Sequence, residues 1–280
     1  MNSYLGRKTI DIVARSACLA ALLVAIVPLA GVLFYLGAKG ISGLSWGLFT
    51  ELPKPVGEPG GGFANAIVGT VILVAIACSV SLPVGVFAGV YLAEFGGNRF
   101  AKAVRFSADV LSGVPSIAVG VFAYTIFVLS MRRFSALAGG FALSIIMLPT
   151  ITRTTEELIK LVPDSLREAG LALGIPKWRV IISVVLRTGA PGITTGIMLA
   201  VARAAGETAP LLFTALNNRY WSLDPIKPIA SLPVQIYTYA ISPFDDWHRQ
   251  AWAAALVLVA MVLVLNILAR LITYQRGGER

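Results

Sequence analysis

The chain has 280 residues, 57% of them hydrophobic and only 13% charged, at a mean hydropathy of +0.80; a soluble domain carries roughly a quarter charged residues. One histidine and two cysteines, with Cys18 and Cys78 both inside apolar runs, exclude a histidine-based metal centre and a disulfide framework. The formal net charge of +9 does not point to nucleic acid, because the basic residues are distributed in alternate loops along the chain.

A bilayer core needs about 20 consecutive apolar residues per helix, and six such runs follow one another: Ala17–Ala38, Ala66–Ala93, Val104–Met131, Phe134–Ile151, Thr188–Leu216 and Gln250–Thr273. Backbone polar groups have no water to bond in lipid, so each run reads as a helix. The expected fold is an all-α polytopic membrane protein with six transmembrane helices. Fifteen of the 23 basic residues fall on the side of both termini and seven on the other, which places both termini in the cytoplasm by the positive-inside rule. The first run exceeds the apolar length of a secretory signal and reads as an uncleaved anchor.

After that anchor comes a Gly/Pro-rich stretch, Glu51 to Phe63, read as a flexible extracytoplasmic loop. Residues 1–65 are thus anchor helix plus loop, 66–273 the transport unit, and 274–280 a cytoplasmic tail. Pro115 and Pro149 sit inside apolar runs and predict kinks. Asp109, four residues after Arg105, predicts a local ion pair. A second outer loop, 217–249, holds Trp221, Tyr237, Tyr239, Phe244 and Trp247, in keeping with an interfacial segment or a docking surface.

The cytoplasmic loop Thr152–Arg187 carries more information. Ser165 and Glu168 match a capping box, Gly174 offers a left-handed stop, and Pro176 follows it. This predicts a two-turn helix over 166–173 whose apolar face is Leu166, Ala169, Gly170 and Leu173. So short a helix needs a partner surface, either its own bundle or another protein.

In the fifth run, Gly192, Gly196, Ala200, Ala204 and Thr208 recur every four residues, a small-residue ridge for close helix packing. Arg203 and Glu207 lie i, i+4 within the same run and fall on the ridge side at 100° per residue. Charges at membrane depth are costly and mark function by default. Paired donors on Arg203 suit phosphate oxygens. Glu207 accepts a hydrogen bond from a phosphate that keeps a proton, and Thr208 adjoins them.

Glu168-Ala169-Gly170, followed after three residues by Gly174, resembles the "EAA" loop of binding-protein-dependent ABC importer permeases, with Gly170 in place of alanine and Arg187 where that family has proline. Three stretches resemble the A-type permeases of phosphate importers in particular: NAIVGT (Asn65–Thr70), LSGVPSIAVG (Leu111–Gly120) and RAAGETAPLLFTA (Arg203–Ala215). The resemblance spans about 63–273. It implies the type I ABC importer permease fold, a coupling helix at about 165–174 (Ser165, Glu168, Ala169, Gly170, Gly174) and a location in the bacterial inner membrane. It also implies partners: two copies of an ATP-binding cassette ATPase, a sister permease and an extracytoplasmic phosphate-binding protein. No G-x-x-x-x-G-K-[ST] occurs, so the chain is not itself expected to be an enzyme or to bind a cofactor; ATP and Mg would sit on the partner ATPase. Permeases for molybdate or sulfate, and ion-coupled carriers with internal repeats and broken midplane helices, are the alternative readings.

Overall fold

The computed structural model describes residues 2–55, 58 and 60–277. Residues 56, 57 and 59 of the Gly/Pro-rich loop and 278–280 of the expected tail lie outside the described residues. Among those described, every regular element is helical. Helix α1 is Asn2–Gly43, α2 is Ala64–Phe95, α3 is Arg99–Gly113 and α4 is Ser116–Met131. They are followed by α5, Ala136–Lys160, α6, Asp164–Ala172, and α7, Lys177–Ala205. Helices α8, Ala209–Thr214, α9, Leu232–Ala240, and α10, Asp245–Gly277, follow, and a one-turn helix, Gly47–Thr50, lies between α1 and α2.

Five of these (α1, α2, α5, α7 and α10) are long and apolar enough to cross a membrane, and the bent pair α3–α4 makes a sixth when counted as one span. The run expected as one helix over Val104–Met131 is therefore broken rather than kinked. Val114 is held extended (φ −70°, ψ 129°), as a residue before proline prefers, and Pro115 restarts the chain at a bend of 105°. Helix α3 begins under an Asn98 cap that accepts from the Ala101 N–H at 2.8 Å, a favourable helix start.

Helix α5 is the centre of the bundle, with 67% of its most apolar window buried, whereas none of the corresponding window of α1 is buried. Helix α2 reaches α5 through a small-residue row that the sequence reading passed over. Ala77, Ser81, Gly85 and Gly89 are buried at every fourth position. A Cβ on Gly85 would lie 2.8 Å from Ile151, and one on Gly89 2.5 Å from Thr155. The main core gathers Leu73 from α2, Leu143, Met147 and Ile151 from α5, Ala200 and Ala204 from α7, and Leu211 from α8. Helix α1 leans on α10 at its far end, where Gly40 meets Leu256 and Tyr35 packs edge-on against Trp252 at 5.1 Å.

The segment 217–240 is not simply a surface loop. Ile229, Ala230, Leu232 and Val234 are at most 1% exposed, and α9 enters the bundle beside α2. The NAIVGT stretch holds it there. Asn65 Nδ2 donates to the Asn218 carbonyl at 2.6 Å, and the Leu232 N–H donates to Thr70 Oγ1 at 2.8 Å. Gly69 lets the Ala230 carbonyl approach so closely that a Cβ would be 2.0 Å from its oxygen. The aromatic cluster expected in this loop is present at its margin, with Tyr239 stacked on Trp247 at 4.5 Å.

Candidate functional site

The fifth apolar run ends as a helix at Ala205 and resumes at Ala209. Pro210 explains the break: it lacks the N–H that would bond the Gly206 carbonyl, and its ring would strike that carbonyl in a continuous helix. The same proline is well placed in the first turn of α8. Gly206 and Glu207 donate to the Arg203 and Ala204 carbonyls at 3.1 and 3.2 Å, and Thr208 precedes α8 with its carbonyl accepting from Leu211 at 3.1 Å.

Arg203 and Glu207 therefore meet across a break rather than along one helix face. Arg203 Nε lies 3.5 Å from Glu207 Oε1, with the arginine side chain 50% exposed and the glutamate 15%. The ridge itself turns inward against α5. A Cβ on Gly192 would press Leu158 and one on Gly196 would press Thr154, while Ala200 and Ala204 are each 1% exposed. Arg203 thus flanks the ridge instead of lying on it, and its guanidinium opens onto the bundle surface while Glu207 turns inward. A second signature stretch, LSGVPSIAVG, meets this break, where a Cβ on Gly120 of α4 would lie 2.6 Å from the Pro210 Cα. Broken helices thus occur twice, and they do not by themselves separate this chain from ion-coupled carriers.

At the opposite end of the bundle the basic residues collect around α6. The helix starts one residue before Ser165, with Pro163 preceding it and no side-chain cap. The capping box does not form, because Pro163 and Asp164 already carry the chain into the turn. The C-terminus is a Schellman closure: Gly174 at φ 75° donates to the Leu171 carbonyl at 2.9 Å, and Ile175 donates to Gly170 at 3.2 Å, as a left-handed glycine permits. Gly170 faces the chain's own bundle, where a Cβ would fall 2.9 Å from Val180. Ser165, Glu168 and Ala169 are exposed, as are Leu166 at 39% and Leu173 at 79%. The expected apolar face is therefore divided, one glycine packed inward and the rest turned out.

Arg167 anchors α6. Its Nε donates to Glu94 Oε1 at 2.9 Å and its terminal nitrogens to the Ile159 and Val162 carbonyls. Beside it lies a charged cluster that sequence reasoning missed. Glu156, fully buried, is bonded by Arg105 at 2.7 Å, by Arg153 at 3.0 Å and by Lys160 at 2.5 Å. Arg105 also donates to the Leu92 and Gly96 carbonyls. Asp109 consequently pairs with Arg153 at 3.2 Å and not with Arg105. A glutamate between arginine and lysine at helical spacing was the available signal, but its arginine from α3 lies 51 residues away in sequence.

A family model described as the binding-protein-dependent transport system inner membrane component matches residues 81–275. The phosphate transport system permease protein PstA of Yersinia pestis is 52% identical over 242 residues, covering 86% of this chain and 82% of its own length. PstA 1 of Mycobacterium tuberculosis (strain ATCC 25618 / H37Rv) is 36% identical over 284 residues, covering 99% and 91%. Among solved structures, an inward-facing form of the MetNI methionine ABC transporter superposes with a TM-score of 0.60 at 16% identity, over 76% of this chain and 93% of that one. An amino acid ABC transporter gives a TM-score of 0.55 at 15% identity, over 76% and 92%. At such identities the two structures speak for the fold, that of a type I ABC importer permease.

Proposed function

The chain belongs to the family of binding-protein-dependent transport system inner membrane components, and from that premise we propose that it is the permease subunit of an ATP-driven importer of inorganic phosphate. The observation that carries the substrate is the similarity, over most of the chain, to relatives named as phosphate transport permeases. The Arg203–Glu207 pair supports it chemically. The guanidinium presents paired donors to phosphate oxygens, and the partly sheltered carboxylate accepts the remaining proton of a monohydrogen or dihydrogen phosphate. Thr208, at the same break, adds a hydroxyl within the path.

The chain carries no nucleotide-binding motif, so ATP with its Mg is bound and hydrolysed by two partner ATPase subunits. Their closure bears on α6, whose outward Leu166, Ala169 and Leu173 offer a small apolar surface. Arg167 transmits displacement of α6 to α2 through Glu94 and to α5 through the Ile159 and Val162 carbonyls. A sister permease completes the path, and an external phosphate-binding protein delivers the substrate to the end of the bundle opposite α6. The proposed site of action is the bacterial inner membrane with both termini cytoplasmic, a reading that the charge asymmetry supports.

The test is labelled phosphate uptake by phosphate-starved cells lacking this chain. Wild type is expected to restore uptake. Arg203→Gln, present in the membrane at equal amount, is expected to lower it by at least tenfold, about 1.4 kcal/mol of lost interaction. No restoration by wild type overturns the phosphate reading.

A further inference from the structure

Arg132 and Arg133 are two adjacent cations that the packing of the bundle does not account for. They follow α4 at the end opposite α6, on the side where the charge asymmetry keeps basic residues few. Arg132 closes α4 in the left-handed region at φ 52°, where a residue other than glycine is disfavoured by roughly 1–2 kcal/mol. Such held outliers concentrate at functional sites. The Arg133 N–H turns back to the Val128 carbonyl at 3.2 Å, which fixes both side chains on one tight turn. Both are exposed, and among the described residues neither guanidinium has an ion-pair or hydrogen-bond partner.

The two arginines line one cavity of about 330 Å³ together with Tyr124, Val128, Leu129 and Phe134. That is room for about ten waters at roughly 30 Å³ each. Its lining side chains are apolar except for the two arginines and Tyr124, so an anion there would be drawn to two charges without a counter-ion among the described residues. The chain just after the two arginines is also tied to α8. The Ser135 N–H donates to the carbonyl of Thr214, the last residue of α8, at 3.0 Å. Glu207 and Thr208 lead into the first residue of the same helix. Six helical residues rise about 9 Å, so the two arginine sites stand at opposite ends of α8.

We propose that Arg132 and Arg133 form an oxyanion site that takes a phosphate group at the end of the bundle opposite α6, one short helix from the Arg203–Glu207 pair. Paired guanidinium donors fit phosphate oxygens. Free phosphate entering the path and the phosphate of a lipid headgroup share this chemistry. The first source rests on the permease reading above; the second does not.

The test uses the assembled transporter with its partner subunits, once in maltoside micelles stripped of phospholipid and once in phosphatidylglycerol nanodiscs. Phenylglyoxal labels accessible arginines, and peptide mass spectrometry reads each position, with exposed Arg219 as the internal reference. Inorganic phosphate in micelles is expected to slow labelling of Arg132 and Arg133 at least fivefold relative to Arg219, compared with chloride at equal ionic strength, about 1 kcal/mol of protection. Protection seen only in nanodiscs assigns the site to a lipid headgroup. Equal rates at all three arginines in both settings overturn the site. In parallel, the double variant Arg132→Gln/Arg133→Gln is expected to lower initial uptake at limiting phosphate by about tenfold, the lower end of what focused charge contributes to capture. Phosphate uptake by wild type without protection removes this site and leaves the permease reading intact. Protection by phosphate without uptake removes that reading and leaves the site.

Discussion

Glu156 is a fully buried carboxylate held by three cations from two helices, and its energetics differ from those of the surface pairs around it. Removing one partner of a buried ionic cluster costs about 3–5 kcal/mol where the remaining charge stays desolvated, and less here, since Arg105, Arg153 and Lys160 are 25%, 35% and 51% exposed. Glu156→Gln is therefore expected to lower the thermal midpoint of the purified complex by several degrees. Asp109→Asn, at a side chain 58% exposed, should change stability by less than about 1 kcal/mol. Equal effects from the two would show that the cluster is not a structural centre. Glu207 makes a different prediction. Sulfate has no proton to offer its carboxylate, so Glu207→Gln should reduce the preference of uptake for phosphate over sulfate. Unchanged preference with intact uptake would remove Glu207 from substrate discrimination. Arg203 and Glu207 could be singled out from sequence because a charge inside an apolar run stands out by itself. Glu156 could not, because its burial depends on Arg105 arriving from a helix whose bend only the fold specifies.

Helix α6 shows how one element serves two surfaces. Gly170 faces Val180 at a spacing too close for a Cβ, and Arg167 ties the helix to α2 and α5, while Leu166 and Leu173 remain outside. Gly170→Ala should push α6 off its seat. Overpacking of this kind costs about 1–3 kcal/mol, and the expected readout is a several-fold loss of uptake with the subunits still assembled. Adding Val180→Ala to the same chain should restore most of it by vacating the contact. Failure of that second change to rescue would place the role of Gly170 on the outer surface instead. The glycine stop at Gly174 and the proline at Pro176 were readable, since helix ends are local chemistry. The capping box misled because Pro163 fixes the start of the helix before Ser165 can cap it.

For the whole molecule, the charge asymmetry predicts that α6 and the loop around Asn218 face opposite sides of the membrane. With Cys18 and Cys78 replaced by alanine, a single cysteine at Tyr220 should react with a membrane-impermeant maleimide added to intact cells, and one at Ser165 only after permeabilisation. The reverse pattern would invert the assigned orientation. Apolar run length was enough to specify a helical membrane protein with five crossings, or six with the bent pair, and Gly174 and Pro176 marked where α6 stops. Apolar length and chain-stop chemistry are properties of a single stretch of chain, and lipid forces each stretch to satisfy its own backbone. It took packing in three dimensions to show that Arg203 and Glu207 meet across a break, that 229–235 folds into the core, and that Glu156 rather than Asp109 binds Arg105. The last two depend on partners distant in sequence, whose approach is set by glycines and small side chains packing across helices; the break follows locally from Pro210, an effect that run length alone does not reveal.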